Sequence, residues 1–64
     1  MPIIQINILE GRTLDQKKKL VEKLTNAAVD SLGAPRETVR VMINEMSADH
    51  YAISGELISE RRKK

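Results

Sequence analysis

Pro2, Arg12 and Arg40 are the side chains of this 64-residue sequence best suited to carry a reaction. If the initiator Met1 is removed, the chain begins with a proline that bears a free secondary amine. That amine can act as a base without His, Cys or a metal. A terminal amine titrates near pH ~7.7–8.0 in ordinary peptides. Burial and nearby cations disfavour its charged form and lower that value. A strand-anchored N-terminal proline is thus a candidate general base at neutral pH. If Met1 stays, the nitrogen is acylated and this chemistry is lost. The plain alternative is that a small second residue serves only to permit Met removal. Arg40 lies inside a strand-like run, where arginine is unusual unless it is paired. It either binds an anion or pairs with a carboxylate such as Glu10 or Glu45. Arg12 is either a second anion-binding group or a loop or helix-capping charge. His50 reads as a surface loop residue. Tyr51, a lone aromatic, reads as packing or interface.

The elements that must position these groups are legible. Residues 3–9 are rich in β-branched Ile and favour a strand. Ile4, Ile6 and Ile8 point to one face; Ile3, Gln5, Asn7 and Leu9 point to the other. Glu10-Gly11-Arg12 reads as a loop. Thr13-Leu14-Asp15-Gln16 fits a capping box that starts a helix, and Asp15 suits its N-terminus. Leu20, Leu24, Ala27/Ala28 and Ser31/Leu32 predict its apolar stripe. Gly33 caps it and Pro35 prevents continuation. Residues 39–45 predict a second strand, with Val39, Val41 and Ile43 facing opposite to Arg40, Met42 and Asn44. Residues 46–59 suggest a loop or small hairpin with a final turn. The fold class expected is α/β, a β-α-β unit over a single domain spanning residues 1–64. The crossover makes the strands parallel and the connection right-handed.

Composition sets further limits. The chain is 41% hydrophobic, with no Cys, Trp or Phe and one His. Disulfides and thiolate metal sites are excluded, and one imidazole is too few for a histidine metal cluster. A chain this short buries only about 60% of its unfolded surface, so oligomerisation is the expected source of further stability. Parallel sheets want both faces covered, and one helix covers only one. Other subunits must supply the remaining cover, so a site at the strand ends is expected to be shared between chains. The net charge of +2 sits largely in Arg61-Arg62-Lys63-Lys64. Such a short tail gives no reason to expect nucleic-acid binding. No apolar stretch approaches the ~20 residues that span a bilayer, and no secretory signal pattern is present. A cytoplasmic location is expected, with no membrane partner.

Taken in order, the residues resemble a family. Pro2, Ile8-Leu9-Glu10-Gly11-Arg12, Asp15-Gln16-Lys17, Val39-Arg40-Val41, Asn44-Glu45-Met46, His50-Tyr51 and Gly55-Glu56-Leu57 are similar to the 4-oxalocrotonate tautomerase (2-hydroxymuconate tautomerase) family. The likeness spans almost the whole chain without evident gaps. It implies a cofactor-independent isomerase with a β-α-β subunit that assembles as a homohexamer, a trimer of dimers. It implies Pro2 as general base, Arg12 and Arg40 as substrate-binding arginines, and Tyr51 as the aromatic wall of the pocket. A backbone amide near Leu9 belongs to the same pocket. The implied substrate is a 2-hydroxymuconate-like dienol dicarboxylate.

Tyr51 stands where the family often has phenylalanine, and Asn7 where some members have histidine. Dehalogenase relatives carry an acidic residue near Ile53 to activate water. Ile53 cannot do so, which favours tautomerisation over hydrolytic dehalogenation. Two alternatives stay open. One is a tautomerase for a different 2-oxo acid. The other is a small oligomeric binding or scaffold module, in which Arg40 is an interface ion pair and Pro2 is incidental.

Overall fold

The computed structural model describes residues 1–62, so Lys63 and Lys64 of the basic tail lie outside the described residues. Strand β1 spans Ile3–Leu9, helix α1 Leu14–Leu32 and strand β2 Arg40–Met46. A short 3-10 turn, Arg36–Thr38, leads into β2. A second one, Ala48–His50, leads to β3 (Ala52–Ile53), β4 (Glu56–Leu57) and the short helix α2 (Ile58–Arg62). β1 and β2 pair in parallel, from Ile3 opposite Arg40 to Leu9 opposite Met46.

Local sequence explains most of these boundaries. The Thr13 hydroxyl accepts from the Gln16 amide at 3.2 Å, and Gln16 Oε1 accepts from the Thr13 amide at 2.9 Å. Both ends of the expected capping box are therefore closed. At the other end Gly33 adopts φ 66°, and its amide donates to the Val29 carbonyl at 3.0 Å. That left-handed conformation suits glycine, which has no Cβ to clash. Ser54 (φ 53°) and Gly55 (φ 82°) form the two-residue turn between β3 and β4. Two successive positive φ values match the twist of a tight hairpin.

Two expectations need correction. The second strand starts at Arg40 and ends at Met46, one residue later than predicted at both ends. The Val39 amide is taken by the Arg36 carbonyl at 3.2 Å, closing the 3-10 turn. Arg40 is therefore the first residue of β2 rather than an interior one. The predicted apolar stripe also ends early. Leu20, Val21, Leu24 and Val29 are half-buried and Ala28 is buried, but Ala27, Ser31 and Leu32 are exposed. A helix of 19 residues is about 28 Å long. A strand of seven residues spans only about 23 Å, so the last turn of α1 overhangs the sheet.

One face of the sheet is covered and the other is bare. Ile4, Ile6, Ile8, Val41 and Ile43 are half-buried, while Ile3, Gln5, Asn7, Arg40, Met42 and Asn44 are exposed. Lys17 near the start of α1 reaches Glu45 of β2 at 2.6 Å, pinning the helix to the covered face. Ala28, 7% exposed, is the buried hydrophobic residue of the described chain, whereas Ile3 is 58% and Met42 43% exposed. The accessible surface is 4959 Å², against about 4,100 Å² for a compact monomer of this mass. The radius of gyration is 15.1 Å, against about 11 Å for a compact chain of this length. The unit is a slab with extents of 45 × 24 × 14 Å, with one helix lying on one two-stranded layer. Such a layer needs a second apolar cover. Met42→Lys places a charge on the bare face. If a second copy covers this face, as the composition leads us to expect, the substitution should weaken self-association by tenfold or more, read as smaller species by sedimentation velocity, because burying an unpaired charge costs several kcal/mol.

Candidate active site

β1 carries candidate groups at both of its ends. Pro2 precedes the strand and is half-buried. Its carbonyl accepts from the Arg40 amide at 3.0 Å, extending the parallel ladder by one bond. Pro2 and Arg40 therefore sit side by side at one end of the sheet. The Arg40 side chain is exposed, and its Nη1 donates to the Glu37 carbonyl at 2.8 Å. A guanidinium has five N–H donors, so this bond orients the group and leaves others for a ligand. Among the described residues, neither carboxylate considered for Arg40 pairs with it. Glu45 is engaged by Lys17 at 2.6 Å, and Glu10 follows the far end of β1.

Arg12 and Leu9 are at that far end. Arg12 Nη1 donates to the Leu9 carbonyl at 2.9 Å, folding the side chain back over the loop. Arg12 also borders an open cavity of about 300 Å³ with Ile6, Ile8, Gln16, Lys17 and Leu20. The cavity has an aliphatic floor and a polar rim, and it contains none of Pro2, Arg40 or Tyr51. Tyr51 is 40% exposed and joins the second 3-10 turn to the hairpin. Its carbonyl accepts from the Ile58 amide at 2.8 Å, closing the hairpin beneath it. Ile53, on the same hairpin, is 43% exposed.

The chain therefore brings Pro2 and Arg40 together but separates them from Arg12 and Leu9. Seven residue steps along β1 amount to about 23 Å, well beyond what a side chain can bridge. Chemically, one end places the Pro2 nitrogen, a free amine only once Met1 is removed, beside a guanidinium fork. The other offers an anion-binding fork beside an apolar groove. Among the described residues, no group of three or more His, Cys, Asp or Glu is placed to hold a metal ion.

Two pairings have no signature in the sequence. Lys17 and Glu45 lie 28 residues apart, and their charges are indistinguishable in sequence from the surrounding solvated ones. Arg36 Nη1 donates to Asn26 Oδ1, tying the turn before β2 to α1. The turn itself is closed locally, since Thr38 donates both its amide and its hydroxyl to the Pro35 carbonyl. Nothing local marked Asn26 as its anchor.

Comparison with known proteins agrees with this architecture. The family model described as tautomerase enzyme matches residues 2–61. A 2-hydroxymuconate tautomerase of Pseudomonas putida is 49% identical over 63 residues, covering 98% of this chain and 100% of that protein. A solved 4-oxalocrotonate tautomerase homologue of the tomaymycin biosynthetic pathway superimposes with a TM-score of 0.96 at 38% identity, covering 98% of this chain and 97% of that one. A heterohexameric 4-oxalocrotonate tautomerase from Chloroflexus aurantiacus gives 0.89 at 33% identity, covering 94% and 97%. With parallel strands joined by one helix, a short C-terminal hairpin and a family match that begins at the proline, the chain belongs to the tautomerase family.

Proposed function

We propose that the protein, once Met1 is removed, is a cofactor-independent keto–enol tautomerase of 2-hydroxymuconate-like dienol dicarboxylates. The observation that carries this reading is the 3.0 Å backbone bond between Pro2 and Arg40, which sets a potential base beside a cation at one end of the sheet. The neutral Pro2 amine takes the proton of the 2-hydroxyl group. Electron density moves along the conjugated chain as the 2-oxo group forms. The protonated amine then returns the proton to a carbon farther along, giving the 2-oxo enedioate. One base serves both steps, so the enzyme regenerates itself.

Arg40 holds one carboxylate and the 2-oxygen, where negative charge develops. Preorganised donors at such an oxygen are often the largest catalytic contribution. Arg12 holds the distant carboxylate, for which a planar fork is well matched. Tyr51 and the neighbouring aliphatics exclude water, which strengthens these interactions. Because Pro2 and Arg12 lie at opposite ends of β1, a complete site takes them from different copies. The bare sheet face and a heterohexameric relative support a six-subunit assembly, which for copies of one chain is a homohexamer.

The test is spectrophotometric. The mature protein should convert 2-hydroxymuconate to its 2-oxo isomer without added cofactor, and no rate above background would sink the proposal. A second reading keeps the chemistry but changes the substrate to another 2-oxo acid. It is favoured by the match to a homologue of a biosynthetic pathway, since the same backbone there shares only 38% of its residues. A panel of monocarboxylate and dicarboxylate enols separates the two, because only a dicarboxylate uses both arginines.

A further inference from the structure

Asn26 and Arg36 lie outside the proposed catalytic and substrate-binding groups, yet they bear on Arg40. The segment before β2 is built from successive carbonyls that are each engaged. The Pro35 carbonyl accepts from the Thr38 amide at 3.0 Å and its hydroxyl at 2.7 Å. The Arg36 carbonyl accepts from the Val39 amide at 3.2 Å. The Glu37 carbonyl accepts from Arg40 Nη1 at 2.8 Å. The direction of the Arg40 fork thus depends on where this turn stands. The Arg36 side chain in turn donates to Asn26 Oδ1 on the exposed face of α1. The helix is held to the sheet by Lys17 and Glu45, so it provides a fixed post.

We infer that the Asn26–Arg36 hydrogen bond positions Arg40 for catalysis by fixing the turn whose Glu37 carbonyl orients its guanidinium. The inference rests on the proposed role of Arg40 at the developing oxyanion. Both residues are exposed, so a structural contribution of the pair to folding is small. A fork free to sample several directions still attracts a carboxylate. It meets the 2-oxygen correctly less often, so turnover suffers more than affinity.

Steady-state kinetics of the mature, assembled protein test this. Asn26→Ala and Arg36→Met should each lower kcat about three- to tenfold with KM within twofold. The double variant should fall no further than either single one, because both break the same bond. Asn26→Asp keeps an acceptor for the guanidinium and should retain wild-type kcat. Glu22→Ala, elsewhere on the exposed face of α1, should leave kcat unchanged. Unchanged kcat in both single variants overturns the inference, as does additive loss in the double variant. A rise in KM alone also overturns it, since Arg36 would then be touching substrate directly. Arg40→Ala in parallel separates the two levels. If it is impaired while Asn26→Ala is not, only this inference fails; if Arg40→Ala is itself unimpaired, the underlying mechanism fails.

Discussion

A chain that begins at Pro2 should tautomerise a dienol dicarboxylate, and the same chain with Met1 retained, or with any residue placed before Pro2, should lose on the order of 10²–10⁴ in kcat. That range is the usual contribution of a positioned general base. The cause is electronic: an amide nitrogen delocalises its lone pair into the carbonyl and cannot take a proton. The expected loss is confined to chemistry. Met1 is 80% exposed and Pro2 precedes the first strand residue, Ile3, so the extension should leave the subunit fold intact. Circular dichroism of the two forms should therefore coincide. Pro2→Ala retains a terminal amine, but one that is primary and less constrained, so its loss should be smaller. For the mature protein, kcat/KM should fall on acidification as the amine becomes protonated. Equal rates with and without Met1, checked by mass spectrometry of the N-terminus, would falsify the assignment of Pro2 as base.

The second large effect separates the arginines. Arg40→Ala should lower kcat by about 10²–10³, the range for loss of a donor at a developing oxyanion. Arg12→Ala should act mainly on KM. Loss of a hydrogen bond to a charged group costs about 1.5–3 kcal/mol, or roughly 10- to 150-fold in affinity. Arg40→Lys should restore little, because an ammonium cannot reproduce the planar fork. The 23 Å estimated between the two ends of β1 adds a sharper expectation. Subunits carrying Arg12→Ala, mixed and reassembled with subunits blocked at Pro2, should regain activity above either parent. Each hybrid pairs an intact Pro2 and Arg40 from one copy with an intact Arg12 from the other. If mixing restores nothing, although mass spectrometry finds mixed oligomers, the shared site is wrong.

The features that could be read from the chain were those whose partners lie close in sequence. The capping box needs only Thr13 and Gln16, three residues apart. The Gly33 cap needs only Val29, four residues back. The hairpin needs the adjacent pair Ser54-Gly55. The end of the helix stripe depends on the length of a sheet made elsewhere in the chain, so periodicity alone overextends it by about one turn. The start of β2 is ambiguous by one residue in the sequence, because Val39 suits either a strand or the closing bond of a turn. The choice between a carboxylate and an anionic ligand for Arg40 was also open. A backbone carbonyl such as that of Glu37 has no residue-type signature, so nothing in the sequence advertised it.

The sequence by itself determined the kinds of element, their order and the inventory of reactive groups: an imino acid at position 2, guanidinium groups at 12 and 40, and no thiol. Those follow from short-range sterics, capping and composition. Only the tertiary structure decided that Pro2 and Arg40 share one end of the sheet while Arg12 occupies the other. Parallel pairing aligns the start of β1 with the start of β2, and that register arises from packing between segments some 37 residues apart, as Ile3 opposite Arg40 records. Register is fixed by which faces become buried, a property of the assembled layers that no single segment contains.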